Sequence, residues 1–468
     1  MSFHNIDNLV TINTSTMTRP LYYSDMYRQA QIEALLSNRR ILIAGYGREG
    51  KSSHALLQSF ASGSVVDVAC NDEEIFASLK RAEEAKVPYD LIIKSPGIST
   101  MKFEGRCNLD TITSQTDLFL QVFGDITVGI TGTKGKSTTT TLTHHILNSA
   151  FGSERHIILA GNMGIPLFDI LDQIDEHAII VAEFSCHQLE NIHRAPHIGV
   201  ILNLYQEHLD HYHNYLGYQM AKMQLMLRQH EGDHCFFCSD CQELTALVAS
   251  LKLQCSSALH PYSLHDALAA NLDQLRTSLK GSHNLSNIYV AQQMTALLGV
   301  SEKQFATALA TFQGLPHRLE CVGTFRGITF FNDSISTIPE ACIAAVEALQ
   351  SVDTLILGGF DRGIDYSPLA AYLAEPTKAG SRIRNIAFVG AAGKRMLAEW
   401  QKMDCAPLAQ RNILEDSDYR NIVAWCYAST YQGSICLLSP AAASYDAFKN
   451  FEERGRIYKE YILEYDKQ

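Results

Sequence analysis

The feature that most constrains this chain is a candidate phosphate loop. An apolar run, ITVGI (Ile126–Ile130), feeds TGTKGKST (Thr131–Thr138), and Ser137–Leu147 continues with helical patterning. Strand, glycine turn and helix in that order aim backbone N–H groups and a helix N-terminus at one place, which suits a polyphosphate. Gly132 and Gly135 let the backbone approach, Lys136 has the reach for terminal phosphates, and the Ser137 and Thr138 hydroxyls suit Mg²⁺. Thr133 and Lys134 complete the loop. The general pattern has a glycine five residues before Gly135, where this chain has Ile130, so the loop is of a variant kind. A glycine turn that only caps a helix is the competing account.

The same alternation runs through the chain. Apolar runs at Arg40–Ala44, Ser64–Cys70 and Tyr89–Lys94 precede the loop, and His156–Ala160, Ala178–Phe184, Ile198–Leu204 and Asp233–Cys238 follow it. After Pro316 come Ile328–Asn332, Thr354–Leu357, Asn385–Val389 and Ser434–Leu438. Strands separated by helical stretches predict parallel sheets, and 468 residues exceed what one core organises. The expectation is an α/β fold with three domains in series, each a mostly parallel sheet with flanking helices: residues 1–113, 114–314 and 315–468. Residues 1–38 form an extension with an amphipathic helix near Tyr23–Ser37 and no assigned chemistry.

A formal net charge of −12 argues against sequence-independent nucleic-acid binding. No apolar run reaches membrane-spanning length and the first residues lack a basic segment followed by an apolar core, so a cytoplasmic location and no membrane partner are expected. Twelve cysteines without an export signal read as reduced thiols. His234, Cys235, Cys238 and Cys241 have zinc-like spacing, but CFFC also reads as a strand, whose alternation turns Cys235 and Cys238 apart. Structural cysteines are the preferred reading.

GYGREG, with Gly45, Gly47 and Gly50, follows the first strand. It suits a dinucleotide with Asp67 or Asp72 on a ribose, a close-packed strand-to-helix turn without ligand, or a nucleotide-sugar diphosphate. Two acidic and imidazole segments close strands of the middle stretch: Glu183-Phe-Ser185-Cys-His187-Gln188-Leu-Glu190 and Glu207-His208-Leu-Asp210-His211. Strand ends are where open α/β sheets bind ligands, and oxygen-rich donors with one imidazole suit Mg²⁺ or Mn²⁺. Singly, Glu183 reads as a helix cap and His208 as a core histidine; clustered beside a phosphate loop they read as a site. Lys222 lies on a predicted helix, where a lone lysine reads as a solvated side chain, and nothing in its spacing singles it out.

Together the motifs resemble the Mur ligase family, in its glutamate-adding form. The segments that carry the resemblance are SPGI (Ser95–Ile98), TGTKGKSTTTT (Thr131–Thr141), GNMGIP (Gly161–Pro166), EFSCHQLE (Glu183–Glu190) and NLYQEHLDHY (Asn203–Tyr212). GSHNLSN (Gly281–Asn287), GLPHRLE (Gly314–Glu320), NDS (Asn332–Ser334), LGGFDRG (Leu357–Gly363) and LLSPAAASYDAFKNFEERG (Leu437–Gly455) continue the series to the C-terminus. The resemblance implies Rossmann-like terminal domains around a central phosphate-loop ATPase domain: a UDP-substrate domain, an ATP domain and an amino-acid domain. It also implies that ATP phosphorylates the carboxylate of UDP-N-acetylmuramoyl-L-alanine, that glutamate's amine attacks the acyl phosphate, and that domain closure excludes water.

Carried over by position, Lys136, Ser137 and Thr138 hold phosphates and metal, with Glu183 and His208 as Mg²⁺ ligands. Lys222, carbamoylated by CO₂, becomes an anion that helps hold a second Mg²⁺. Asn284 and Asn287 meet adenine, and His317, Arg318 and Asp333 the phosphate and ribose region. Asn162 contacts the muramoyl substrate, while Ser95, Pro96, Gly97, Gly47 and Gly50 face uridine diphosphate. Thr337, Arg362, Ser444 and Phe451 form the glutamate pocket, Arg362 being suited to a bidentate carboxylate contact. One departure stands out: Ile335 follows Asn332-Asp333-Ser334 where the family pattern has lysine. DSIST-like segments also occur in relatives that add L-glutamate; D-glutamate is the first choice. A monomer is expected. A folylpolyglutamate-type ligase and a non-catalytic dinucleotide-binding protein are the alternatives, the first opposed by the GYGREG domain and the second by intact Lys136, Glu183, His208 and Lys222.

Overall fold

The computed structural model describes residues 25–162, 165–207, 211–279, 281–349, 351–403 and 411–467. Three sheets stand where three α/β stretches were expected. The first contains β1 (Arg40–Ala44), β2 (Val65–Ala69), β3 (Leu91–Lys94) and β4 (Ile112–Thr113), in the order β2-β1-β3-β4. All its pairings are parallel.

The second sheet contains β5 (Thr127–Thr131), β6 (Ile157–Gly161), β7 (Ile179–Glu183), β8 (Ile198–Ile201), β9 (His234–Cys238) and β10 (Ala258–Tyr262), in the order β10-β9-β8-β5-β7-β6. Every residue of β5, β7 and β8 is buried, which is why these segments read as unbroken apolar runs: a parallel strand covered on both faces has no solvent side to alternate with. CFFC lies inside β9 with both thiols buried.

The third sheet contains β11 (Glu320–Phe325), β12 (Ile328–Asn332), β13 (Val352–Gly358), β14 (Asn385–Val389), β15 (Asn412–Glu415) and β16 (Ile435–Leu438), in the order β11-β12-β16-β13-β14-β15. Only β11 runs antiparallel, against β12. Along β13, Leu355 and Leu357 enter one core and Ile356 the other, so two packed layers share the sheet.

The chain forms two compact units, the first from Met1–Thr133, Phe151–Phe236 and Ala246–His260, the second from Lys134–Ala150, Phe237–Thr245 and Pro261–Gln468. Among the described residues no helix is long and apolar enough to cross a membrane. The expected early helix spans Asp25–Leu36, and the helix after the glycine loop spans Lys136–Phe151.

Candidate functional site

In the first unit the parallel strands end side by side, and the chain leaving each end carries the candidate residues. Gly132, just after β5, has φ +153°, and a Cβ there would sit 2.9 Å from Leu202 Cβ. Gly135 also has positive φ, +85°. The first half of the loop is pinned: Thr133 N donates to Asn203 Oδ1 at 3.0 Å, and Thr133 Oγ1 accepts from Tyr205 N at 2.9 Å and lies 2.6 Å from the Tyr218 hydroxyl. Lys136, Ser137 and Thr138 belong to the second unit, where they form the first turn of Lys136–Phe151 and the helix dipole favours negative charge. Lys134 is exposed.

Lys222 is only 2% exposed. Its Nζ donates to the Gly132 carbonyl at 2.9 Å and lies 5.0 Å from the centre of the Tyr218 ring. The solvated-side-chain reading of this helical lysine is therefore wrong. A single sequence has no signal for it, because the contact joins residues 90 positions apart.

Glu183 closes β7 and is buried. Its Oε1 accepts from Asn162 Nδ2 at 2.8 Å; its Oε2 is buried with no hydrogen-bond partner among the described residues. Gly161, with φ +92°, lets β6 turn beside it, since a Cβ there would meet the Glu183 carbonyl oxygen at 2.3 Å. A buried carboxylate oxygen without a donor costs free energy unless a proton or cation meets it. A buried carboxylate oxygen of this kind fits a hard divalent cation. Among the described residues no group of three or more His, Cys, Asp or Glu assembles a metal site. His208 lies outside the described residues.

Around GYGREG, Gly50 is packed rather than open: a Cβ there would meet the Gly45 carbonyl oxygen at 2.1 Å, and Ser95 Oγ donates to that same oxygen at 2.9 Å. Gly47 and Gly97 face open space, and Pro96 lies between Ser95 and Gly97. Asp67 accepts from the Tyr89 hydroxyl at 2.6 Å and Asp72 from Lys102 at 2.7 Å, so both carboxylates have protein partners. A buried network not anticipated from sequence adjoins this turn. Lys94 Nζ donates to Glu190 Oε2 at 3.0 Å and to the Ile98 carbonyl at 2.8 Å, and the His187 and His211 rings lie 3.9 Å apart. Burial pulls the Lys94 ammonium below its ordinary range, opposed by Glu190. Glu49 accepts from Gln188 Nε2 at 2.8 Å, and burial raises its pKa.

The second unit holds the remaining candidates. Asn284 and Asn287 share one face of Ser282–Leu297, with Asn287 Nδ2 3.3 Å from Asn284 Oδ1. His317 (φ +64°) is 2.9 Å from Asn332 Nδ2 through Nδ1, and burial lowers its pKa. It borders an open cavity of about 400 Å³ that reaches Lys449 and Lys459. Arg318 is exposed. Asp333 is buried and accepts from Ser439 Oγ at 2.7 Å and Leu319 N at 3.1 Å; burial nevertheless pushes its pKa up to about 6. Ile335 is half-buried and donates its N–H to the His317 carbonyl at 3.1 Å, a contact the side chain does not set. Thr337 is half-buried, Arg362 exposed, Ser444 buried and Phe451 half-buried at the start of Phe451–Asp466. Ser334 Oγ donates to the Phe451 carbonyl at 2.8 Å, joining two of these segments.

Residues 130–295 match the model of the Mur ligase middle domain. The chain is 31% identical over 469 residues to UDP-N-acetylmuramoylalanine–D-glutamate ligase of Geotalea uraniireducens (strain Rf4), covering 92% of this chain and 98% of the relative. It is 28% identical over 458 residues to the protein of that name from Desulfitobacterium hafniense, covering 91% and 98%. Among solved structures, MurF ligase from Thermotoga maritima in complex with ADP is similar with TM-score 0.52 at 14% identity, over 92% of this chain and 97% of that one. UDP-N-acetylmuramate-alanine ligase MurC from Thermotoga maritima is similar with TM-score 0.52 at 14% identity, over 91% and 100%. The two solved structures share the fold, and with 31% identity to a ligase of the family over nearly the whole of both chains, the chain belongs to the Mur ligase family.

Proposed function

We propose that this protein is an ATP-dependent amide ligase that joins D-glutamate to UDP-N-acetylmuramoyl-L-alanine in peptidoglycan precursor synthesis. The observation that carries the reading is the glycine loop after β5, held from behind by Lys222 on the Gly132 carbonyl. A free carboxylate is a poor electrophile, so the reaction first moves the γ-phosphoryl group of ATP onto the carboxylate oxygen and releases ADP. The glutamate amine then bonds to the carbonyl carbon, phosphate leaves, and the amine loses its proton.

In this reading Gly132 to Thr138 cradle the phosphates, with Lys136 as the cation. Glu183, His208, Ser137 and Thr138 hold Mg²⁺, which when bound neutralises charge on the phosphates. Asn162 orients Glu183 through its 2.8 Å hydrogen bond. Carbamoylation of Lys222 leaves one N–H on Nζ, enough to keep the Gly132 contact while the new carboxylate points elsewhere. Asn284, Asn287, His317, Arg318 and Asp333 serve the nucleotide. Gly47, Ser95, Pro96 and Gly97 serve uridine diphosphate, with Gly50 packing the turn beneath. Thr337, Arg362, Ser444 and Phe451 serve glutamate. The sequence-derived boundaries 1–113, 114–314 and 315–468, a cytoplasmic location and a monomeric state belong to the same proposal.

Ile335 and Arg362 support a second reading that differs only in the enantiomer, L-glutamate. Phosphate release from Mg-ATP with UDP-N-acetylmuramoyl-L-alanine and each glutamate enantiomer in turn distinguishes the two.

A further inference from the structure

Arg454 lies on the first turn of Phe451–Asp466 and is 1% exposed. Its Nε donates to Ser334 Oγ at 2.9 Å, Nη2 to the Ser334 carbonyl at 2.8 Å and the Ala442 carbonyl at 3.0 Å, and Nη1 to the Ala443 carbonyl at 3.1 Å. A Cβ on Gly359 would lie 3.0 Å from Nη1, so the GGF turn packs on the same guanidinium.

All four acceptors are uncharged. Burial disfavours this cation, opposed only in part by the nearby Asp446 carboxylate, and apolar residues of similar volume often replace buried charges without loss of stability. A rigid planar fork does what an apolar side chain does not: it fixes the directions and spacing of several carbonyls at once. Here those carbonyls belong to the loop after β12 and the loop after β16, with the turn after β13 packed against them.

We propose that Arg454 is a positioning residue for the amino-acid site, its guanidinium setting the spacing of the three loops that lead to Thr337, Arg362 and Ser444. The proposal rests on the glutamate-ligase reading of those loops. Arg454 touches no substrate; it acts through the loops.

The test uses the full-length enzyme with Mg-ATP, UDP-N-acetylmuramoyl-L-alanine and the active glutamate enantiomer, each varied separately. Arg454→Ala is expected to raise the glutamate KM by about tenfold to a hundredfold, since small misplacements of binding groups cost that much, with the other two KM values nearly unchanged. Millimolar guanidinium ion should lower the raised KM again, which a general loss of packing would not allow. Ser334→Ala, a gentler change that keeps the carbonyl acceptor, should raise the same KM by a smaller factor, and it decides the matter if Arg454→Ala does not fold. An unchanged glutamate KM, or three KM values rising together, overturns the positioning role while the ligase reading stands. A wild-type enzyme without glutamate-dependent turnover overturns both.

Discussion

Asn162 Nδ2 holds Glu183 Oε1 at 2.8 Å, so one carboxylate oxygen is fixed while the other is buried without a hydrogen-bond partner among the described residues. In the proposed function this arrangement orients the Glu183 oxygen for Mg²⁺. Asn162→Ala should weaken apparent Mg²⁺ affinity by about 10–100-fold, the usual effect of losing a group that orients a metal ligand. A Mg²⁺ titration of phosphate release measures it; an unchanged midpoint would remove Asn162 from that role.

Lys222 permits a sharper substitution than alanine. Arginine keeps a cation and donors near the Gly132 carbonyl but cannot form a carbamate. If Lys222 only braces the loop, Lys222→Arg retains most activity; in the carbamate reading it falls by on the order of 100-fold or more, and bicarbonate does not restore it. Steady-state rates with and without added bicarbonate separate these outcomes.

Gly161→Ala tests the geometry beside Glu183. The new Cβ would need positive φ and would meet the Glu183 carbonyl oxygen at 2.3 Å. The backbone strain alone costs about 1–3 kcal/mol. A lower thermal midpoint together with weaker Mg²⁺ dependence is expected, and a wild-type midpoint would contradict the packing described.

Asp333 gives a pH signature. Its carboxyl titrates at about 6 in the folded protein because burial disfavours the anion. The folded state therefore holds the proton more tightly than the unfolded chain, and this contribution to stability is full below pH 3.8 and lost as pH rises through 6. Asp333→Asn removes the titration. Relative to wild type, the variant should gain about 2 kcal/mol between pH 4.5 and pH 7, from urea midpoints at the two values. A pH-independent difference would show that Asp333 is ionised normally.

Sequence patterning found the strands buried on both faces, such as β5, β7 and β13, because continuous apolar runs leave an unmistakable trace, and it also found the half-exposed edge strand β2 from its valine-rich run. It missed β4, which has two residues, and the edge strands β10, β11 and β15. β10 contains Pro261, tolerated only at an edge, and β11 is half exposed and bulged between Cys321 and Gly323. For the site, the loop at 131–138 and Glu183 were legible because the ends of parallel strands are where an α/β sheet presents its groups. Lys222, Lys94 and Arg454 were not, since each owes its character to burial and to partners 90, 96 and 120 positions away.

In the proposed function this loop powers amide formation with glutamate. The most direct measurement is ADP and phosphate release by the full-length protein with Mg-ATP and UDP-N-acetylmuramoyl-L-alanine, with D-glutamate, L-glutamate or neither. Release stimulated by D-glutamate and matched mole for mole by a new amide product is expected; stimulation by L-glutamate alone would reverse the stereochemical choice, and no stimulation by either enantiomer would show that the protein is not a glutamate ligase.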